Sequence, residues 1–200
     1  GFDMDLMRAI GKQMGYEVQI QNMGFDGLIP GLESGTVDAI ISAMTITEER
    51  SKKINLSKPY YKSGLTIVVK SDNTTTKNFA DLTGKKIGVQ IGTTGAAEAK
   101  KIKDAQVREF NSAPEAFLEL KAGGVDAVVN DKPVNDYYIA KAGGKDAKEV
   151  GQPLTAEEYG IGTAKKNKEL SEKIDKALDE LKKNGEYDKI YMKWFGKKPQ

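Results

Sequence analysis

The sequence predicts an α/β protein made of two lobes of similar, doubly wound design. Two observations carry this. Helical and strand patterns alternate with short links from the first residues onward, the order expected of a sheet with helices on its faces. One pattern also recurs. Leu32-Glu33-Ser34-Gly35-Thr36-Val37-Asp38-Ala39-Ile40-Ile41 is matched by Leu120-Lys121-Ala122-Gly123-Gly124-Val125-Asp126-Ala127-Val128-Val129. Each reads as a helix end, a glycine stop, Val-Asp-Ala and a buried strand.

Taken in order, residues 1–15 form a helix with Leu6, Met7, Ile10 and Met14 on one face. Asp3 and Asp5 suit its positive end and Gly15 its stop. Tyr16, Val18 and Ile20 alternate, which predicts a strand. Gly24-Phe25-Asp26-Gly27 is a loop, and residues 28–32 are a short helix closed by Gly35. Residues 37–41 are nearly all apolar, as in a strand covered on both faces of a parallel sheet. In the stretch that follows, Thr45-x-x-Glu48 has capping-box spacing. Pro59-Tyr60-Tyr61-Lys62-Ser63-Gly64 reads as an extended segment leaving one lobe for the other.

In the second half, residues 65–69 are a strand, 71–77 a polar loop, and Phe79 with Leu82 a helical turn. Ile87 and Val89 start a strand ended by Gly92-Thr93-Thr94-Gly95, and residues 96–101 are helical. After a short strand at 107–110, Ser112-Ala113-Pro114-Glu115 opens a helix with a cap, an early proline and an early acid. Residues 125–129 are a buried strand, 134–142 a helix and 159–163 extended. Two helices, 170–183 and 187–195, close the chain on either side of Asn184-Gly185.

Composition narrows the function. The 200 residues are 38% hydrophobic and 30% charged, an ordinary globular balance. Lys and Arg number 31 against 29 Asp and Glu, for a net charge of +2 with no block of one sign, which argues against a nucleic-acid partner. There is no cysteine and no histidine. That removes thiol and imidazole nucleophiles and the usual zinc sites, and no metal or cofactor is expected. No apolar run approaches the ~18 residues of a membrane-spanning helix. With no signal peptide in the sequence, the expectation is either a cytoplasmic chain or a targeting segment upstream of Gly1.

In open α/β sheets ligands sit beyond the carboxyl ends of the strands. The first repeat opens onto Ser42-Ala43-Met44-Thr45 and the second onto Asn130-Asp131. Arg50 offers a planar, always-charged fork for a carboxylate. The amides of Thr93, Thr94 and Gly95, at a helix start, add uncharged donors for the same anion. Asp131 supplies a carboxylate for an ammonium, with the Thr45 hydroxyl and the Ala43 carbonyl. If the lobes face each other, these groups recognise an α-amino acid zwitterion. Each has a plainer reading: Arg50 as a solvated first-turn residue, the glycine-rich loop as a helix start, Asp131 as a cap before Lys132-Pro133. The loop is not a Walker motif, because no Gly-Lys-Ser/Thr follows.

The chain resembles the polar amino-acid-binding proteins of bacterial ABC transporters, the group of the glutamine- and arginine-binding periplasmic proteins. The resemblance runs over residues 1–195. It is most specific at Gly1-Phe2-Asp3-Met4-Asp5-Leu6, Phe25-Asp26-Gly27-Leu28-Ile29-Pro30 and Met44-Thr45-Ile46-Thr47-Glu48-Glu49-Arg50. Tyr60-Tyr61-Lys62-Ser63-Gly64, Gln90-Ile91-Gly92-Thr93-Thr94-Gly95 and Tyr187 through Trp194-Phe195-Gly196 complete it. It implies the type II periplasmic-binding-protein fold, with residues 1–60 and 160–200 in the first lobe, 64–155 in the second, and a two-segment hinge near 60–64 and 155–160. It implies ligand contacts from Arg50, Thr94, Asp131, Thr45 and Ala43, an aromatic platform at Phe25, and a reader of the ligand's far end at Gln90. Gln90 stands where some glutamine binders have lysine, which favours arginine or lysine as ligand.

The implied partners are a free amino acid and an ABC permease, and the implied location is periplasmic or extracellular and membrane-anchored. The chain departs from the family pattern at its front, where members carry a strand of the first lobe's sheet before the motif matching Gly1-Phe2-Asp3. Self-association or strand exchange is the expected way to cover that position. A dehydratase group related by fold makes an enzyme the main alternative, with Glu157, Glu158 or a lysine as acid–base groups. A receptor's sensing domain is the other. Trp194-Phe195 is expected to anchor the last helix.

Overall fold

The computed structural model describes residues 1–143, 145–195 and 199, with the side chains of residues 142, 143 and 156 left aside. Gly196, the last residue of the motif through Trp194-Phe195, lies outside the described residues. The chain divides into two units, Gly1–Lys62 with Glu158–Gln200, and Ser63–Glu157.

In the first unit, helix α1 (Phe2–Met14) buries Phe2, Leu6, Ile10 and Gly11 and ends on Gly15 at φ 80°. Helix α2 (Leu28–Ser34) ends the same way, on Gly35 at φ 79°. Strand β1 (Ala39–Ile40), helix α3 (Glu48–Lys53) and strand β2 (Ile54–Leu56) follow. Strand β8 (Gly162–Ala164) returns between β1 and β2 and runs antiparallel to both. Helices α7 (Lys168–Asn184) and α8 (Glu186–Phe195) close the unit.

The core of this unit is aromatic. The Phe2 ring lies 5.1–6.4 Å, centroid to centroid, from Tyr60, Tyr61, Tyr187, Tyr191 and Phe195. Edge-on and tilted arrangements dominate, the geometry that ring quadrupoles favour. Leu6, Ile10, Ile174, Leu178 and Leu181 complete the contact of α1 with α7. Trp194 anchors α8 through its indole Nε1, which donates to Asp5 Oδ2 at 2.8 Å.

Two sequence expectations change here. The strand expected from the alternation of Tyr16, Val18 and Ile20 does not form, and Tyr16 and Ile20 stay 47% and 40% exposed. Alternation favours a strand only where a neighbour completes the ladder, and none of the described strands pairs with this segment. The apolar run 37–41 yields only the two-residue β1, antiparallel to β8 rather than inside a parallel sheet.

The second unit has a five-stranded sheet of order β5-β4-β6-β3-β7. Its strands are β3 (Tyr61–Lys70), β4 (Lys86–Gln90), β5 (Gln106–Phe110), β6 (Ala127–Asp131) and β7 (Ala147–Tyr159). β4 runs parallel to β5 and β6, and β3 is antiparallel to β6. Because side chains alternate along a strand, the central strands supply two cores. Leu65, Ile67, Val69, Ile87, Val89 and Val129 face helix α4 (Thr94–Ala99), while Val68 and Val128 face helix α5 (Ala113–Ala122). The helix expected over 134–142 begins earlier, as α6 (Lys132–Tyr138), and continues as a π-helical turn, Ile139–Gly143.

Strands β3 and β7 leave no room for a side chain at Gly64. A Cβ there would collide with the Thr155 carbonyl oxygen and stand 2.8 Å from the Pro153 side chain. Gly64→Ala must spread the two strands, and urea unfolding should show a loss of about 1–3 kcal/mol; an unchanged midpoint would contradict this close fit.

Under the end of β6, Lys132 Nζ pairs with Glu149 at 2.7 Å and with Asp136 at 3.4 Å. Burial first, and then the Glu149 carboxylate, push the Asp136 carboxyl up to about 6 from an ordinary 3.8. The folded state therefore holds this proton more tightly than the unfolded chain. Its stabilising contribution is complete below about pH 4 and is lost as the pH rises through about 6. Asp136→Asn should flatten that decline in urea unfolding between about pH 4 and 7. Equal slopes for variant and parent would refute the assignment.

Candidate functional site

Each unit carries one group of the expected ligand contacts. In the first, the chain leaves β1 and turns at Ala43, whose φ is 48°. A left-handed alanine costs roughly 1–2 kcal/mol, and the surroundings hold it there. The Ala43 N–H donates to Asp3 Oδ2 at 2.8 Å and lies 3.1 Å from the Tyr60 hydroxyl, which itself donates to Asp3 Oδ1 at 3.0 Å. Burial pushes the Asp3 carboxyl up, against the pull of its bonds to Tyr60 and Ala43. With its N–H engaged, Ala43 presents a carbonyl that accepts no hydrogen bond among the described residues.

Beyond Ala43, Met44 enters the core and the backbone is tied on both sides. The Gly160 N–H donates to the Met44 carbonyl at 2.9 Å, and the Ile46 N–H to the Glu158 carbonyl at 2.7 Å. This sets Thr45, 7% exposed, opposite Tyr159 in an isolated bridge. Thr47, not Thr45, caps α3: its hydroxyl accepts the Arg50 N–H at 3.1 Å. The capping box expected at Thr45 and Glu48 is thus replaced by a single side-chain cap two residues further on. Arg50 turns back, donating from Nη1 to the Thr45 carbonyl at 2.6 Å, and its Cζ lies 5.4 Å from the Phe25 ring centroid. That stacking leaves the edge of the guanidinium as its polar rim. Phe25, Thr45 and Arg50 therefore form one group, with Ala43 two residues away along the chain.

In the second unit the expected residues gather at the carboxyl ends of β4 and β6. Ile87 pairs with Ala127 and Gly88 with Val128, so Gln90 and Asp131 end adjacent parallel strands. Asp131 is 5% exposed, and its N–H donates to Asn130 Oδ1 at 2.8 Å. It holds the cap position of α6, yet its side chain makes no cap hydrogen bond. A plain helix cap therefore does not account for the carboxylate.

Thr94 opens α4, where the Thr93 hydroxyl takes the Ala96 N–H at 3.1 Å and donates to the Gln90 carbonyl at 2.7 Å. The N–H groups of Thr94 and Gly95 donate to nothing among the described residues. Gly95 lets the helix start press on β6, since a Cβ there would meet the Val129 carbonyl oxygen at 3.0 Å. Behind the strand ends, Asn135 Nδ2 donates to the Asn130 carbonyl at 3.0 Å and to Thr66 Oγ1 at 2.8 Å, and Thr66 donates to Glu149.

Sequence reasoning missed Asp3, Tyr60 and Thr47 as supports, and Asn130 and Asn135 beneath Asp131. Asp3 reads as an ordinary first-turn acid, and only long-range packing brings it under Ala43. Among the described residues no group of acidic side chains is arranged to hold a metal ion, and no helix is long and apolar enough to cross a membrane.

Comparison with known proteins is consistent along the chain. Residues 1–197 match the family of bacterial extracellular solute-binding proteins, family 3. The ABC transporter arginine-binding protein 1 of Escherichia coli K12 is 38% identical over 207 residues, covering 98% of this chain and 81% of that protein. Among solved structures, an ancestral arginine-binding protein bound to arginine has a TM-score of 0.93 at 49% identity, covering 98% of this chain and 88% of its own. The ancestral amino acid-binding protein AncCDT-1, a precursor of cyclohexadienyl dehydratase, has a TM-score of 0.90 at 42% identity, covering 98% of this chain and 85% of its own. These relatives are named as binding proteins, and the two-sheet α/β architecture is that of the type II periplasmic fold. The chain belongs to the bacterial extracellular solute-binding proteins of family 3.

Proposed function

We propose that this protein captures a polar L-amino acid, arginine or lysine in the first place and glutamine in the second, and delivers it to an ABC importer by hinge closure. The arrangement of Arg50 against the Thr45 carbonyl and the Phe25 ring carries the reading, because it holds an always-charged fork in one orientation. In this proposal Arg50 and the Thr94 N–H take the ligand's carboxylate. Asp131, the Thr45 hydroxyl and the Ala43 carbonyl take its ammonium. Phe25 packs on the ligand's aliphatic stem, and Gln90, neutral at the end of β4, tolerates a cationic far end. A ligand that binds the closed form better than the open form shifts the population by that difference in affinity.

Family membership and the names of its relatives support this reading over catalysis. The dehydratase-related neighbour is itself named an amino acid-binding protein. The permease of an ABC transporter is the proposed partner, and the proposed location is periplasmic or extracellular and membrane-anchored. Self-association or strand exchange is proposed at the edge of β1.

Isothermal calorimetry over the polar amino acids tests the proposal directly, with micromolar or tighter binding of arginine or lysine expected on the scale of −8 kcal/mol. Arg50→Ala should cost on the order of 2–5 kcal/mol of binding free energy, since a carboxylate is left without its cation. Unchanged affinity in that variant would remove Arg50 from the site. Asp131→Asn should weaken amino acids more than the matching deaminated acids. Equal weakening of the two ligand series would end its role as ammonium partner.

A further inference from the structure

Asp131 ends β6, and the chain on either side of it is held by side chains of the second unit. On one side is the peptide unit that joins Asn130 to Asp131. Its carbonyl accepts from Asn135 Nδ2 at 3.0 Å, and its N–H donates to Asn130 Oδ1 at 2.8 Å. A peptide unit is planar, so fastening both of its polar groups fixes the plane from which the Asp131 side chain leaves. Asn135 is fully buried, and the same Nδ2 reaches Thr66 Oγ1 at 2.8 Å on the neighbouring β3.

On the other side is Lys132. An ammonium one residue from Asp131 competes for that carboxylate and repels a ligand's ammonium, unless it has counter-ions of its own. It has two: Nζ lies 2.7 Å from Glu149 Oε1 and 3.4 Å from Asp136. Glu149 is itself fixed from behind, because its Oε2 accepts the Thr66 hydroxyl at 2.8 Å. Glu149 on β7 and Asn135 on α6 therefore meet at Thr66, one holding the residue after Asp131 and the other the peptide before it.

We propose that, given Asp131 as the ammonium partner of the function proposed above, Glu149 and Asn135 are positioning residues for amino-acid capture: Asn135 aims the Asp131 carboxylate, and Glu149 keeps the Lys132 ammonium from occupying it. The two residues then matter for ligands that carry an ammonium and not for the same ligands without one.

Calorimetry on the 200-residue chain uses two ligand pairs, arginine with its deaminated analogue δ-guanidinovalerate and glutamine with glutaramate. The quantity read is the ratio of dissociation constants within a pair. Glu149→Gln keeps an acceptor for Thr66 and removes the charge. The preference for the amino acid should fall about tenfold, a common scale of coupling within one polar network. The double variant Glu149→Gln with Lys132→Ala should regain most of that preference, because the competing cation has gone. Asn135→Ala should lower the preference too, and adding Lys132→Ala to it should restore nothing. A merely structural loss would weaken both members of a pair alike and would not be mended by removing a second side chain.

Equal weakening within each pair in both single variants overturns the proposal, as does a Glu149→Gln, Lys132→Ala double variant no better than Glu149→Gln. Should Glu149→Gln fail to fold, Asn135→Ala decides by the same ratio. Asp131→Asn separates the two levels. If it lowers the ratio while Glu149→Gln and Asn135→Ala do not, the positioning role alone falls. If it leaves the ratio unchanged, or the parent chain binds neither amino acid, the proposed function falls and the positioning role with it.

Discussion

A partly buried carboxylate beneath a left-handed alanine supports the turn that follows β1 in the first unit. Asp3, from α1, accepts the Ala43 N–H and the Tyr60 hydroxyl, and so joins three distant stretches of chain. Charge-assisted bonds of this kind are about twice as strong as neutral ones, enough to offset the backbone strain at Ala43. Once the chain turns there, Met44 is directed into the core and the Thr45 carbonyl meets the Arg50 guanidinium. Phe2, adjacent to Asp3, sits among the rings that include Tyr60, so the aromatic core and the polar support share one anchorage. The Tyr187 hydroxyl closes the loop by donating to the Tyr60 carbonyl.

The second unit reaches a comparable edge by packing. Its sheet is covered on both faces, and the start of α4 is pressed on β6 because Gly95 has no side chain to hold it off. Asp131 then stands at a strand end whose neighbours are buried amides and a threonine, linked through Glu149 to Lys132. A polar network of this kind fixes geometry when its members find partners. It also places a titrating carboxyl, Asp136, under the edge, so local stability there responds to mild acid.

The two units share a plan and differ in how it is completed. The repeat puts Ala43 and Asp131 at the same step beyond Val-Asp-Ala, one with a carbonyl and the other with a carboxylate as its polar group. In the proposed function both take the ligand's ammonium. In the second unit the parallel strand β4 stands beside the repeat's strand, while in the first β1 pairs, among the described strands, with the antiparallel β8. A shared local pattern thus ends in a five-residue strand in one case and a two-residue strand in the other, because strand length depends on neighbours.

The sequence by itself determined most of the helices, their glycine stops, the recurring Val-Asp-Ala pattern and the family, because these depend on local periodicity, capping and short motifs such as Phe25-Asp26-Gly27 and Met44-Thr45. Asp131 was legible as a charge at a strand end, and Arg50 as a charge in the stretch beyond one, for the same reason. Only the tertiary structure decided that residues 16–20 would not pair, that Thr47 caps α3, and that Asp3 and Tyr60 hold Ala43. Those outcomes rest on groups far apart in the chain. Hydrogen-bond partners and strand neighbours are chosen by packing, and a periodic pattern reports which face of a segment is apolar but not what that face will meet.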